Sequence, residues 1–352
     1  YLGNYDWSHQ NWYASFRRNH PLGRWRFHSW DAEHVLRSET EDFTNDSENA
    51  TPTFIHQRLA TNAEYRMRFA DRMHKWFFNN GLFTTSGLTA VCNRQFNEID
   101  AAMRCESARW GDNRSAARPS PLTNVTYTRG VEWLNEKARM LDVVVPARNP
   151  LILNSLKSKT NALYPRVDLA VTSSAIFHAP SYSQHGGIVP ANYSLSLTNP
   201  NGALGTVYYT LDGSDPRLTG GTLSGTARVY STPVALTHSV TVCSRVKNGS
   251  VWSALNEAAF SVGTVAPNAS NLTISKIMWK PAPPSATDLL AGYDESDFEF
   301  LELYNPSGNS VNLAGIDFTA GLDIALNGGA TPELQPGARA VLVAKPSAFL
   351  HR

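Results

Sequence analysis

The chain has 352 residues, 42% of them hydrophobic and 17% charged, with a formal net charge of +1 at pH 7. That length and composition support two or three globular domains with sizeable cores and exclude a largely disordered chain. The 23 Gly and 20 Pro show no period, which excludes a collagen-like or low-complexity array. The longest apolar runs fall far short of the roughly 18 residues that a membrane span requires.

The near-neutral balance averages unlike parts. Residues 1–167 hold 22 of the 31 Lys and Arg and 17 of the 30 Asp and Glu, a net of +5, whereas residues 168–352 hold 9 and 13, a net of −4. Seven of the nine Trp lie before that divide, and most Gly and Pro lie after it. Such a shift predicts a helix-bearing domain followed by turn-rich β domains. Cys92, Cys105 and Cys243 are too few for a disulfide framework and are expected to be buried small apolar residues. Eight Asn-x-Ser/Thr sequons (Asn45, Asn49, Asn113, Asn124, Asn192, Asn248, Asn268, Asn271) exceed the about four that chance supplies, a hint of an exported chain. The chain opens on Tyr1 without an initiator Met and stops shortly after the strand-like run Ala338 to Ala344, so an internal piece of a longer protein is expected.

In chain order, Trp12 to Arg17 and Trp25 to Trp30 alternate in character around the turn-forming Asn19 to Gly23, which predicts a β-hairpin. The polar stretch Ser38 to Thr51 reads as a loop. Ile55, Leu59, Phe69, Met73, Trp76 and Phe77 recur at helical spacing, which predicts a helix or helix pair over 53–79. A second helix is expected over about 86–110, with Leu88, Val91, Ile99, Met103 and Trp110 as its apolar stripe and Gly111 as its stop. A third, about 129–142, is expected to end ahead of Val143 to Pro146. All three stripes are read as core packing. From about 168 the helical period gives way to short β runs, including Tyr193 to Leu197, Gly205 to Leu211, Val240 to Val246, Ala258 to Val262, Phe298 to Tyr304 and Ala338 to Ala344.

Chemistry concentrates at the amino end, in Asp6-Trp7-Ser8-His9-Gln10-Asn11 and, beyond the hairpin, Ser29-Trp30-Asp31-Ala32-Glu33. An Asp, an Asn five residues on, and a later Asp delivered by a strand is the arrangement of kinase-type phosphoryl transfer. One carboxylate accepts the substrate hydroxyl proton, while an amide oxygen and a second carboxylate suit the small hard Mg²⁺ ion. Spacing alone is weak, because 16 Asp and 27 Asn produce about one such pair by chance. The competing reading is a polar turn beside a Trp-rich hairpin. His9, His28 and His34 lie close by in sequence but lack Cys partners, so they are read as solvated or core residues and not as zinc ligands. Asp6, Ser8 and His9 sit on one short segment without a Gly-x-Ser-x-Gly elbow, which argues against a hydrolase triad.

Asn11-Trp12-Tyr13, Trp25-Arg26-Phe27, Trp30-Asp31-Ala32-Glu33 and Pro52 to Leu59 resemble the spore-coat protein H (CotH) kinase family over about residues 1–145. The resemblance implies Asp6 as catalytic base, Asn11 and Asp31 as metal ligands, and Mg²⁺ and ATP as cofactors; Glu33 stands near the same site without an assigned role. The run Tyr208 to Pro216, with Val240 to Val246 and Gly249 to Ser253, resembles the non-catalytic fibronectin-III-like domain at the carboxyl end of chitobiases and β-hexosaminidases. Within it Asp212 and Asp215 are read as turn formers. Asp297 to Pro306 and Val311 to Ile316 resemble a lamin-tail domain. Glu299 and Glu302 fall on opposite faces of that strand and so form no paired-acid site.

Together these resemblances imply a multidomain chain. An α+β kinase-like C-terminal lobe of hairpin plus helices (1–167, its N-lobe missing) precedes two immunoglobulin-like β-sandwiches, one fibronectin-III-like (168–265) and one lamin-tail-like and truncated (270–352). The expected setting is a secreted or cell-surface protein that phosphorylates Ser or Thr of a surface or coat protein. A catalytically inactive adhesion scaffold whose β modules bind partners or glycans is the alternative. No basic run with interleaved aromatics points to nucleic acid.

Overall fold

The computed structural model describes all residues except 5, 20–22, 45–48, 50, 113–125, 322–323 and 327–331. A helical amino-terminal part precedes a β-rich carboxyl-terminal part with several sheets, so the chain is a multidomain α+β protein. It forms two compact units, one of residues 1–185, 197–231 and 243–257 and the other of residues 186–196, 232–242 and 258–352. These borders differ from a division at 167 and 265, because strand Val240–Asn248 contributes to both units.

The first unit opens with the antiparallel hairpin β1 (Trp12–Phe16) and β2 (Trp25–Ser29), in the register Trp12 to Ser29 and Phe16 to Trp25. Its connecting turn was expected over 19–23, of which 20–22 lie outside the described residues, as do 45–48 and 50 of the polar loop. Cross-strand ring pairs hold the hairpin: Phe16–Trp25 at 5.1 Å, Trp12–Phe27 at 5.9 Å and Tyr13 stacked on His28 at 4.8 Å.

The helix pair follows as α1 (Pro52–Leu59) and α2 (Ala63–Phe77). Asn62 caps α2 by accepting from the backbone N–H groups of Glu64 and Tyr65. One face of α2 buries Ala70, Met73, His74 and Phe77 against Ile152, Leu153, Leu156 and Tyr164. Helix α3 (Thr85–Trp110) starts at a Thr84 cap. Only Leu88 of its stripe is buried, while Ile99 and Trp110 are exposed, as are Ile55, Leu59 and Trp76 of the preceding pair. The core-packing reading therefore holds for Met73, Phe77 and Leu88 and fails for those five. The first two turns of α3, through Leu88 and Cys92, meet the buried cluster of Leu36, Val144 and Val145; farther along, it meets the 129–133 segment through Phe96 on Trp133 and Asp100 with Arg129.

The third helix does not stop at 142. A π-type turn, Arg129–Trp133, leads into α4 (Leu134–Arg139), a second π-type turn, Met140–Val144, and α5 (Val145–Ser158). Pro146 lacks an N–H and its ring would clash with the carbonyl four residues back in a regular helix. The wider turn removes that clash, and Pro146 sits in the first turn of α5, where a missing donor costs nothing. The β part of this unit includes strand Thr206–Thr210, paired to Arg228–Val229 on one side and to residues 243–247 on the other.

In the second unit the run Tyr193 to Leu197, read as one strand, contributes only Tyr193–Leu195, which pairs with Val234–Leu236; Leu197–Thr198 is a separate strand of the first unit. A three-stranded antiparallel sheet, Thr273–Met278, Phe300–Tyr304 and Arg339–Val343, sets Leu301 and Leu303 against Val311, Leu313 and Leu334. Asp297 and Phe298 lie in a 3₁₀ turn and not in the strand, with Asp297 accepting from the Asp294 N–H and the Lys345 ammonium. Among the described residues no helix is long and apolar enough to cross a membrane. The cysteines are all free; Cys243 is buried as expected, but Cys92 is half-buried and Cys105 exposed on α3.

Candidate functional site

Two loops meet at the foot of the hairpin. The Trp30 N–H donates to the Asn11 carbonyl at 3.0 Å and closes the hairpin's base, while the Leu36 N–H donates to the Leu2 carbonyl at 2.7 Å. Leu36 is buried on Val144 and Val145, which anchors the second loop in the core. Arg148, itself buried, donates to the carbonyls of Tyr1, Ser38 and Glu41 and so ties the first loop to the segment beyond the second. Asn11, Asp31 and Leu36 have φ of 56°, 54° and 57°. Asn and Asp tolerate this left-handed region, whereas for Leu36 it is a strained conformation of the kind that concentrates at functional sites.

The sequence-predicted residues lie on these loops. Asp6 is only 4% exposed. Its Oδ2 accepts from Asn11 Nδ2 at 3.0 Å, and its Oδ1 is buried without a hydrogen-bond partner among the described residues. Asp31 is exposed, and its carboxyl pKa is raised, first by the charge of Glu33, with desolvation, a hydrogen bond to Glu33 and the Asp6 carboxylate adding to the effect. Three carboxyl groups therefore crowd one locality.

His34 enters the same group. Its Nε2 lies 3.1 Å from Glu33 Oε1 and 3.9 Å from Asp6 Oδ2, and its Nδ1 lies 2.9 Å from Arg37 Nη1. One ligand atom from each of Asp6, Glu33 and His34 falls within 4.8 Å of the others. His34, read from the sequence as a solvated or core residue, thus lies beside these carboxylates. His28 lies on the hairpin, hydrogen-bonded to Ser15 at 2.8 Å. The adjacency of Glu33 and His34 to Asp31 was the available signal for their joining the site.

Apart from these loops, a concave region of about 610 Å³ is lined by residues that include Arg68, Lys75, His185, Asn256 and Glu257. At its floor Asn256 accepts from Asn79 and His185 and donates to the Pro180 carbonyl. His74, buried beneath, is pulled down to a pKa of about 3 by desolvation and, secondarily, by His185 and His178. Its Nδ1 pairs with the Tyr164 hydroxyl at 2.9 Å. Sequence reasoning assigned none of these polar residues.

In the β part, Asp212 accepts from the Ser214 N–H at 2.9 Å and Asp215 from the Arg217 N–H at 2.9 Å, around a Gly213 with φ of 74°. Both are turn formers, and Asp215 also grips Arg245. Asn271 is buried, donating to the Ala266 carbonyl and accepting from the Asn268 N–H, so that sequon serves a turn. The sequons at Asn45, Asn113 and Asn124 lie outside the described residues.

A family model described as Fn3 associated matches residues 195–269. The match fits a fibronectin-III-like domain in that stretch. No curated protein matches the chain.

Proposed function

We propose that the amino-terminal loops belong to a CotH-type kinase-like domain that transfers phosphate from ATP to Ser or Thr of a surface or coat protein, within a secreted or cell-surface protein. The observation that carries this reading is the Asn11 amide held on Asp6 at 3.0 Å, at the foot of a hairpin whose outgoing strand leads to Asp31. With the Asn11 nitrogen engaged, its amide oxygen and the Asp31 carboxylate supply the hard oxygen donors that suit Mg²⁺. Mg²⁺·ATP would supply the transferable phosphoryl group and offset its charge. Asn11 orients the Asp6 carboxylate, which would take the hydroxyl proton. The Fn3-associated stretch and a lamin-tail-like unit after it would act as spacers or bind partners or glycans. Transfer of labelled phosphate by the full-length protein, with Asp6→Ala and Asp31→Ala as comparisons, tests this: both variants are expected to lose it, and undiminished transfer in either refutes the assignment.

The burial of Asp6, at 4% exposure, favours a second reading. A base must meet its substrate's hydroxyl. In an inactive scaffold Asp6 would serve only to fix the two loops, and the β modules would carry the function.

A further inference from the structure

We propose that Asp6, Glu33 and His34 form a binding site for one divalent cation of the Zn²⁺ or Mn²⁺ class, separate from a hard-ion site on Asn11 and Asp31. The binding claim does not depend on ATP chemistry, although it uses the same pair of loops and takes as a ligand Asp6, the base of the kinase reading.

The three ligand atoms lie within 4.8 Å of one another, a span that one ion can bridge after small side-chain adjustments. The donor set is two carboxylates and one imidazole, and imidazole directs selectivity toward Zn²⁺ and other transition ions and away from Mg²⁺ or Ca²⁺. Three protein ligands with room for a solvent ligand is also the donor count of open zinc sites. A second observation is independent of this proximity. Asp6 Oδ1 is buried and has no hydrogen-bond partner among the described residues. Buried carboxylate oxygens in native proteins are almost always paired, since an orphaned one is costly, and a cation held by the Asp6 carboxylate would offset that cost.

Arg37 provides the control built into the site. A guanidinium only donates, so its contact with Nδ1 at 2.9 Å makes that nitrogen the acceptor and, in the neutral ring, leaves the proton on Nε2. Nε2 is the atom that faces both carboxylates. Metal ligation at Nε2 therefore requires the ring proton to move to Nδ1 and Arg37 to release it. The tautomer change leaves the ring neutral, and Arg37 acts as a positioning residue that opposes binding.

The test is a titration of the chain with Co²⁺, followed by its visible absorption, and with Zn²⁺ by calorimetry. One ion per chain is expected. His34→Ala and Glu33→Gln, at half-buried and exposed positions, should each weaken binding at least about tenfold. Arg37→Ala should tighten it, an effect that a merely structural role for His34 would not produce. His9→Ala should leave it unchanged, and excess Mg²⁺ should leave the Co²⁺ spectrum in place. Absence of saturable one-to-one binding, parent-like affinity in both His34→Ala and Glu33→Gln, or displacement of Co²⁺ by Mg²⁺ overturns the proposal. If Co²⁺ binds as described while the full-length protein transfers no phosphate, the kinase reading fails and this one stands; the reverse result separates them equally.

Discussion

The hydrogen-bonding centre of the first unit is Arg245, and removing Asp71 from it is the most decisive perturbation of stability. The Arg245 side chain is 1% exposed. Its Nε and Nη2 donate to Asp215 at 2.7 and 2.6 Å, its Nη1 and Nη2 to Asp71 of α2 at 2.8 and 2.7 Å, and its Nη1 to the Ser253 carbonyl at 2.8 Å. Burial alone would lower the Arg245 pKa, but hydrogen bonds and charge from Asp215 and Asp71 outweigh it and hold the guanidinium above its ordinary value. Asp71 Oδ1 also accepts the Leu255 N–H at 2.8 Å, so one carboxylate joins α2 to two segments of the β part. Breaking a buried pair by deleting one partner costs about 3–5 kcal/mol. Asp215 remains bidentate and Asp71 is 21% exposed, which sets the electrostatic loss near the lower end. The stranded Leu255 N–H adds about 1 kcal/mol, for a total of about 4 kcal/mol. Urea unfolding of Asp71→Ala against the parent measures it, and Asp71→Asn, which keeps an acceptor for Leu255, should lose about 1 kcal/mol less. A loss below about 1 kcal/mol for Asp71→Ala would refute the view that this triad holds the helical and β parts of the unit together.

Two pH effects and one packing effect extend the reasoning. The hydrogen bonds from Arg217 lower the Glu64 carboxyl to a pKa of about 2, with the Gly220 N–H adding to the shift. A depressed carboxyl stabilises the fold above its unfolded value of 4.5, and that contribution drains away as pH falls toward 2. Glu64→Gln should flatten the urea midpoint across that window, and an unchanged slope would count against the pair. Buried His74 is neutral in the fold down to about pH 3, so stability should fall as pH drops below 6.5, where the unfolded chain takes up a proton that the fold refuses. His74→Phe should reduce the slope between pH 6.5 and 4.5, which lies above the Glu64 window, leaving the part due to His56, His178 and His185, whose pKa values burial also lowers. In the second unit, buried Asn305 donates to the carbonyls of Leu334, Gln335 and Asn309. Asn305→Ala strands two or more of them and should cost about 2–3 kcal/mol, read as lost amide-exchange protection in Phe300–Tyr304 and Arg339–Val343.

What the sequence made legible was local. The hairpin, the helix pair, the stop of α3 at Gly111, and the Asp212-Gly213 turn all follow from turn residues, helical spacing and alternation, signals carried within a few residues. What escaped depends on partners far along the chain. Arg148, Arg166 and Arg245 carry no local sequence signal of burial, and two of them are counted in the +5 of the first 167 residues, yet all three are buried. Arg166 donates to the carbonyls of Lys157, Lys159 and Asp168, closing the end of α5, and Arg148 serves the loops around Asp6 in the same way. A side chain whose acceptors are backbone carbonyls leaves no complementary residue type in the sequence, so no motif announces it. The same applies to Pro146: its residue type marks a helix end, and only the π-type turn before it shows how the helical path continues.

The candidate site divides along the same line. Asp6 and Asn11 are close in sequence and hydrogen-bonded, so their spacing was informative. Glu33 and His34 reach Asp6 only because the Trp30 N–H closes on the Asn11 carbonyl and Leu36 is buried in the core. That arrangement separates the site from the hairpin it frames. Trp25, Phe27 and Tyr13 are exposed, and the contacts that set the two loops all lie at or beyond the hairpin's base. Substitutions along 13–28 are therefore expected to change the hairpin's surface without moving Asp6 relative to Glu33 and His34. Loss of Arg148 or of the Leu36 side chain, both remote from the carboxylates in sequence, should release the two loops from each other. The chemistry of this region is thus positioned by a buried arginine and a strained leucine, and the acidic residues that a motif search finds are carried on that support.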